Sequence, residues 1–118
     1  MTWNSFIETA PTRREIFECL FKLNESEINV LEYMLTDPGK SCESVGKALG
    51  KSRSVVQRAM SRLMECNLVV RTQVTKEGRS HTGYMYVYKP IKDLKSYLLQ
   101  TINESRSRME ELVKKEFQ

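Results

Sequence analysis

The stretch SCESVGKALGKSRSVVQRAMSRLMECNLVV, residues 41–70, decides the fold. Ser41 and Ser44 are both residues that cap helix N-termini. From either start, Val45, Ala48 and Leu49 fall on one face of a short helix. Gly50 supplies a left-handed turn without a Cβ clash. Ser52 then caps a longer helix, Arg53 to about Cys66, with Val55, Val56, Ala59, Met60 and Leu63 as its apolar stripe. Asn67 tolerates the left-handed conformation that stops a helix. A short helix, a tight turn and a longer helix have helix-turn-helix spacing.

Downstream, Leu68 to Thr75 is rich in β-branched residues, and 76–83 is polar with two glycines. Tyr84 to Tyr88 alternates aromatics with Met85 and Val87, which predicts a hairpin with a long tip, closed by Pro90. Tyr84, Tyr86 and Tyr88 share one parity, so one face is expected to pack and the other to stay partly wet. No Gly or Pro occurs from Ile91 to Phe117. That span predicts one helix of about 27 residues, roughly 40 Å long at ~1.5 Å per residue.

Upstream, Thr12 caps a helix with Glu15 answering three positions later. Ile16, Phe17, Leu20 and Leu23 recur at helical spacing. Asn24 caps the next helix, with Glu25 and Glu27 in its first turn and Ile28, Leu31, Met34 and Leu35 inward. Asp37-Pro38-Gly39 ends it. Residues 1–12 read as a leader with Trp3 and Phe6 as anchors. The expected architecture is mainly α with a small β-hairpin (α+β). It is a winged helix-turn-helix domain over 13–90 with an extra N-terminal helix, followed by a long C-terminal dimerisation helix over 91–118.

Composition fits this architecture. With 118 residues, 40% of them hydrophobic and 29% charged, the chain suffices for one domain plus an appendage. No run approaches the ~18 apolar residues of a membrane span, and the N-terminus lacks the order of a signal peptide, so the cytoplasm is expected. Net charge is −4 over residues 1–38, +7 over 39–89 and +1 over 90–118. A basic middle third suits a surface that meets a polyanion.

The exposed face of the longer helix carries Ser52, Arg53, Ser54, Gln57, Arg58, Ser61 and Arg62, and no carboxylate lies between Glu43 and Glu65. Arg and Gln are the side chains that read guanine and adenine edges in the major groove. The N-terminal residues of the second helix of such a motif point at those edges. The expected DNA-binding set is Ser41, Lys51, Ser52, Arg53, Ser54, Gln57, Arg58, Ser61 and Arg62. To it the wing adds Lys76, Arg79, Ser80 and His81, with Thr82 beside them. Arg53 and Gln57 are expected at bases, and Arg58 and Arg62 nearer phosphates.

Ser52 to Leu63, followed by Asn67-Leu68-Val69-Val70-Arg71, resembles the recognition helix and first wing strand of MarR/TrmB-type winged-helix regulators. Gly83 to Pro90 is similar to the second wing strand of small archaeal members. Ser54-Val55 in place of the usual Thr step, Met60 for Leu, and Asn67 for Gly depart from the family pattern, each compatibly with the same geometry. The resemblance spans residues 24–90 and implies a DNA-binding regulator, without target or ligand. Longer TrmB-type regulators have a second, ligand-binding domain that this sequence does not show. Any effector is therefore expected to use the cleft between wing and long helices, or the cysteines, or to be absent.

Ile91, Leu94, Leu98, Ile102, Met109, Leu112 and Val113 give the last helix an apolar stripe that a lone tail would leave wet. Pairing with a second copy is expected, with Phe17 and Leu20 of the first helix joining the interface. Such a homodimer matches pseudo-palindromic double-stranded DNA. Three cysteines without a CxxC, and one histidine, argue against disulfides and metal, so no cofactor is expected. Cys42, in the first turn of the short helix near Lys40, is the best candidate for a reactive thiol, and Cys19 for a dimer cross-link. All three are nevertheless expected to be structural. An enzyme is not expected: no Gly-rich phosphate loop, paired carboxylates or Ser/His/Asp set occurs. The alternatives to a sequence-specific regulator are a non-specific architectural chromatin protein and a winged-helix protein–protein interaction module.

Overall fold

A computed structural model describes residues 10–75 and 84–117. Trp3, Phe6, Lys76, Arg79, Ser80, His81 and Thr82 lie outside the described residues. Among the described residues, five helices and one hairpin follow in order: α1 (Arg13–Phe21), α2 (Glu25–Thr36), α3 (Cys42–Leu49), α4 (Arg53–Glu65), β1 (Val69–Thr75), β2 (Tyr84–Pro90) and α5 (Leu94–Glu116). This is the mainly helical winged helix-turn-helix arrangement expected.

The capping residues act as expected. Thr12 with Glu15, and Asn24 with Glu27, form reciprocal capping boxes on α1 and α2. Ser41 accepts the Ser44 amide on α3, and Ser52 accepts the Val55 amide on α4. α1 stops two residues before Leu23: Lys22 adopts φ 55, and the turn swings the Leu23 side chain into the core. Asn67 ends the segment after α4 with φ 59.

The core is built from Phe17, Leu23, Ile28, Val30, Leu31, Met34, Val45, Val56, Met60, Leu63, Leu68, Val69 and Tyr88. Val30 replaces Leu35 on the inward face of α2, and Leu35 is only half-buried. In α3 the inward residues are Cys42, Val45 and Gly46, whereas Ala48 is exposed. The reason is the turn. A Cβ on Gly46 would sit 2.7 Å from the Lys51 carbonyl oxygen, so only glycine lets the two helices close this tightly. Lys51 N–H donates to the Gly46 carbonyl at 2.9 Å, and Gly50 holds φ 67.

β1 and β2 pair antiparallel from Val69 opposite Pro90 to Thr75 opposite Tyr84. A tether that no local sequence signal announces anchors them. Gly39 N–H donates to Tyr88 O, and Tyr88 N–H to Lys40 O, so the α2–α3 connection acts as a short third strand on β2. The wing base is thereby fixed to the helix-turn-helix. The tyrosine parity does not divide the wing into a packed and a wet face. Tyr88 is buried and Tyr86 exposed, because only the base of the hairpin reaches the core.

The last helix is 23 residues rather than about 27, and starts at Leu94 after a turn at Lys92-Asp93. Its first turns lean on the body. Leu94, Tyr97 and Leu98 pack on the core, Tyr97 stacks on Phe21 at 6.0 Å, and its hydroxyl donates to Cys66 O at 2.7 Å. Beyond them α5 projects. The long axis is 68 Å against 23 and 21 Å, and the radius of gyration is 17.6 Å. A compact chain of this length would have about 13–14 Å.

Candidate nucleic-acid interface

α4 presents two unlike faces because its apolar residues recur at three- and four-residue spacing. Val56, Ala59, Met60 and Leu63 are buried, while Arg53, Ser54, Gln57, Arg58 and Ser61 are exposed. Ser54, Gln57, Arg58 and Ser61 share one open surface. Arg53 and Gln57 also line a cleft against the wing, with Ser41, Cys42, Glu43, Arg71, Met85, Tyr86 and Tyr88. No carboxylate of α4 interrupts the exposed face before Glu65, in the last turn. Ser41 and Ser52 use their oxygens as caps, which sets the first turns of α3 and α4 in place. Lys51 is half-buried in the turn between them.

Arg62 is placed differently from expectation. Its guanidinium donates to the Phe21 carbonyl at 3.1 Å and pairs with Glu65 at 3.6 Å. That carbonyl is at the negative end of α1, where a cation is favourable. Arg62 therefore ties α4 to α1, with its side chain still 41% exposed.

Arg71 and Tyr86 line this cleft although neither is in the DNA-binding set expected from the sequence. Arg71 opposes Tyr88 across the ladder, and its guanidinium lies 4.3 Å from the centroid of the Tyr86 ring. The wing base is thus a cationic wall beside the start of α4. Hairpin register alone put Arg71 on this face, and an eight-residue tip leaves register open until the strands are paired.

The thiols behave otherwise than the helix-dipole argument suggested for Cys42. Cys42 is in the first turn of α3 but buried, and burial pushes its thiol pKa up. A hydrogen bond with Tyr88 and the charge of Arg53 oppose that rise without overcoming it. Burial likewise raises the Cys66 thiol and the Tyr88 hydroxyl. Cys19 is exposed. Iodoacetamide at neutral pH should therefore label Cys19 in the folded protein and leave Cys42 unlabelled, as read by mass spectrometry. Fast labelling at Cys42, or release of DNA by peroxide that a Cys42→Ser protein does not show, would restore a reactive role.

The dimer candidates separate into two groups. Phe17 is 1% exposed and belongs to the core, so it is unavailable to a partner. Leu20, Ile91, Leu94 and Leu98 are half-buried within the chain, and Ile91 N–H donates to Leu68 O. Ile102, Met109, Leu112 and Val113 are exposed, and so are Leu99 and Phe117, two residues outside the expected stripe. At ~100° per residue the five of these within α5, Leu99 to Val113, fall within about 140° of the helix circumference.

The capped α4 with its donor-rich exposed face, the short α3 that glycine locks in front of it, and the paired wing make up a winged helix-turn-helix fold, the fold of a class of DNA-binding transcription regulators. Comparison with known proteins agrees. Residues 17–93 match the family described as sugar-specific transcriptional regulator TrmB. An uncharacterized protein of Methanocaldococcus jannaschii is 31% identical over 108 residues, covering 89% of this chain and 79% of that one. The chain belongs to the TrmB family.

In fold it is similar to a possible transcriptional regulator from Methanosarcina mazei Go1 (TM-score 0.72, 22% identity, 88% of each chain covered). It is also similar to an S. aureus MepR mutant bound to an oligodeoxyribonucleotide (TM-score 0.52, 13% identity, 89% of this chain and 72% of that one). Among the described residues no helix is long and apolar enough to cross a membrane.

Proposed function

We propose that the protein is a homodimeric, sequence-specific regulator that binds double-stranded DNA in the cytoplasm. The N-terminal half of α4 enters the major groove, and the wing lies on the adjacent backbone or minor groove. The observation that carries this is the exposed face of α4: Arg53, Ser54, Gln57, Arg58 and Ser61, backed by a buried stripe and free of carboxylates until Glu65. Arg53 and Gln57, nearest the capped end, read base edges, and Arg58 binds phosphate. The exposed apolar arc of α5 pairs with the same arc of a second copy, placing two recognition helices on two half-sites.

Selection of bound sequences from a random duplex pool tests this function. Recovery of a motif with two related half-sites supports it. Recovery without sequence enrichment would make the protein architectural, and no retention at all would make it a protein-interaction module. The wing is expected to act through charge. Replacing Lys76 and Arg79 by alanine should weaken all duplexes alike and lower the salt slope by ~0.9 for each phosphate that is no longer neutralised. A slope equal to that of the parent would take the wing tip off the DNA.

A further inference from the structure

The cleft between α3, α4 and the wing, about 310 Å³, carries a cation outside the DNA-binding set assigned to α4. We propose that this cleft seats one phosphodiester of the bound duplex, with Arg71 as its anchoring cation and Tyr86 as the brace that holds Arg71. The inference rests on the proposed docking of α4.

Three observations converge on it. The Arg71 guanidinium lies 4.3 Å from the Tyr86 ring centroid, where the face of the ring attracts a cation. Arg71 sits directly opposite Tyr88 across the ladder, and its charge opposes the rise that burial imposes on the Tyr88 hydroxyl. Arg71 is thus braced by the Tyr86 ring, at a strand position fixed by pairing, before any ligand arrives. A guanidinium carries five donors in a fixed fork, and stacking on a ring face uses none of them, so donors remain for phosphate oxygens. Ordering it beforehand lowers the entropy lost on binding.

Position supplies the rest. Arg71 shares the cleft with Arg53 and Gln57, the two residues assigned to base edges. The backbone that borders the major groove beside the start of α4 passes this wall. The wall cannot drift, because β2 is bonded to Lys40 and Gly39 at the entrance to α3. Among the described residues Glu43 is the one carboxylate lining the cleft, and its oxygen is 3.6 Å from Lys47 Nζ. The lining therefore remains net positive.

The test uses the full chain and a duplex recovered by selection, in which each phosphate flanking a half-site is replaced in turn by an uncharged methylphosphonate. One such replacement should weaken the parent about tenfold and leave Arg71→Ala unaffected, as expected for one charge-assisted hydrogen-bonded pair. Arg71→Ala should itself bind about tenfold more weakly on all sequences, with a salt slope lower by ~0.9. Tyr86→Phe should match the parent, and Tyr86→Leu should fall towards Arg71→Ala. Arg71→Lys, which keeps the charge and loses the fork, should keep the slope and bind several-fold more weakly. If Arg71→Ala binds with parental affinity and slope while Arg53→Ala does not, the seat is wrong and the docking stands. If both bind as the parent does, the docking falls with it. A Tyr86→Leu protein equal to the parent would remove the brace.

Discussion

Ile102→Glu, Met109→Glu and Val113→Glu, introduced together, are expected to turn a dimer into a monomer and to abolish tight binding to a two-half-site duplex. The three side chains are 43%, 52% and 54% exposed in the single chain. Replacing them therefore leaves the fold of one copy intact. Each is worth roughly 1.5–3 kcal/mol when fully buried against a partner. Three carboxylates per helix would in addition face three from the other copy. With that burial lost and like charges opposed, sedimentation should show a monomer at micromolar concentration. Linking two recognition modules raises binding by about 10²–10⁴ over one alone, and that factor should vanish. Affinity for an isolated half-site should change little, since α4 is untouched. Sedimentation of the parent protein as a monomer at micromolar concentration would refute the pairing of α5. The charges belong beyond Thr101 because Tyr97 and Leu98 already support the chain's own core. A truncation at Pro90 would strip that support and confuse folding with association.

Arg53→Ala and Gln57→Ala carry the second large effect. Both side chains are exposed, and neither supplies the cap of α4, which is Ser52. Thermal stability should therefore stay near that of the parent. Removing either base-edge interaction should cost ~1–3 kcal/mol and relax specificity at one position. The two residues lie one turn apart, so the double variant need not show the sum. A fall of about 10²–10³-fold on the selected site, with little change on unrelated duplexes, is the expected signature. A uniform fall on all duplexes would move Arg53 from bases to phosphates. Unchanged affinity on the selected site would overturn the docking of α4.

Much of this architecture is local, and local signals were enough to find it. Ser41, Ser52, Thr12 and Asn24 cap because a short side-chain oxygen reaches an amide two or three residues on, whatever surrounds it. Gly50 and Asn67 mark left-handed positions for an equally local steric reason. The buried stripe and donor face of α4 follow from 3.6 residues per turn. For those reasons the helix-turn-helix, the donor-bearing face of α4 and the hairpin were legible in the order of residues.

The tertiary structure decided what depends on neighbours distant in sequence. Periodicity gave α3 an inward Ala48, but the crossing of α4 presses on Gly46 instead, since that is where the Lys51 carbonyl approaches. Arg62 reads as one more exposed cation until α1 brings the Phe21 carbonyl to it, 41 residues away in sequence. The dipole at the start of α3 favours a thiolate at Cys42, yet the wing buries that thiol, and desolvation of a charge outweighs a partial charge at a helix end. Phe17, Leu94 and Leu98 have the same apolar chemistry as Met109 and Val113. Only packing sorts them, giving the first three to the chain's own core and leaving the other two exposed. Sequence by itself determined which elements form and which faces they offer, because those are set within a few residues. Which of those faces is consumed inside the chain and which is left for DNA or a partner required the third dimension, because burial is a property of contacts between segments.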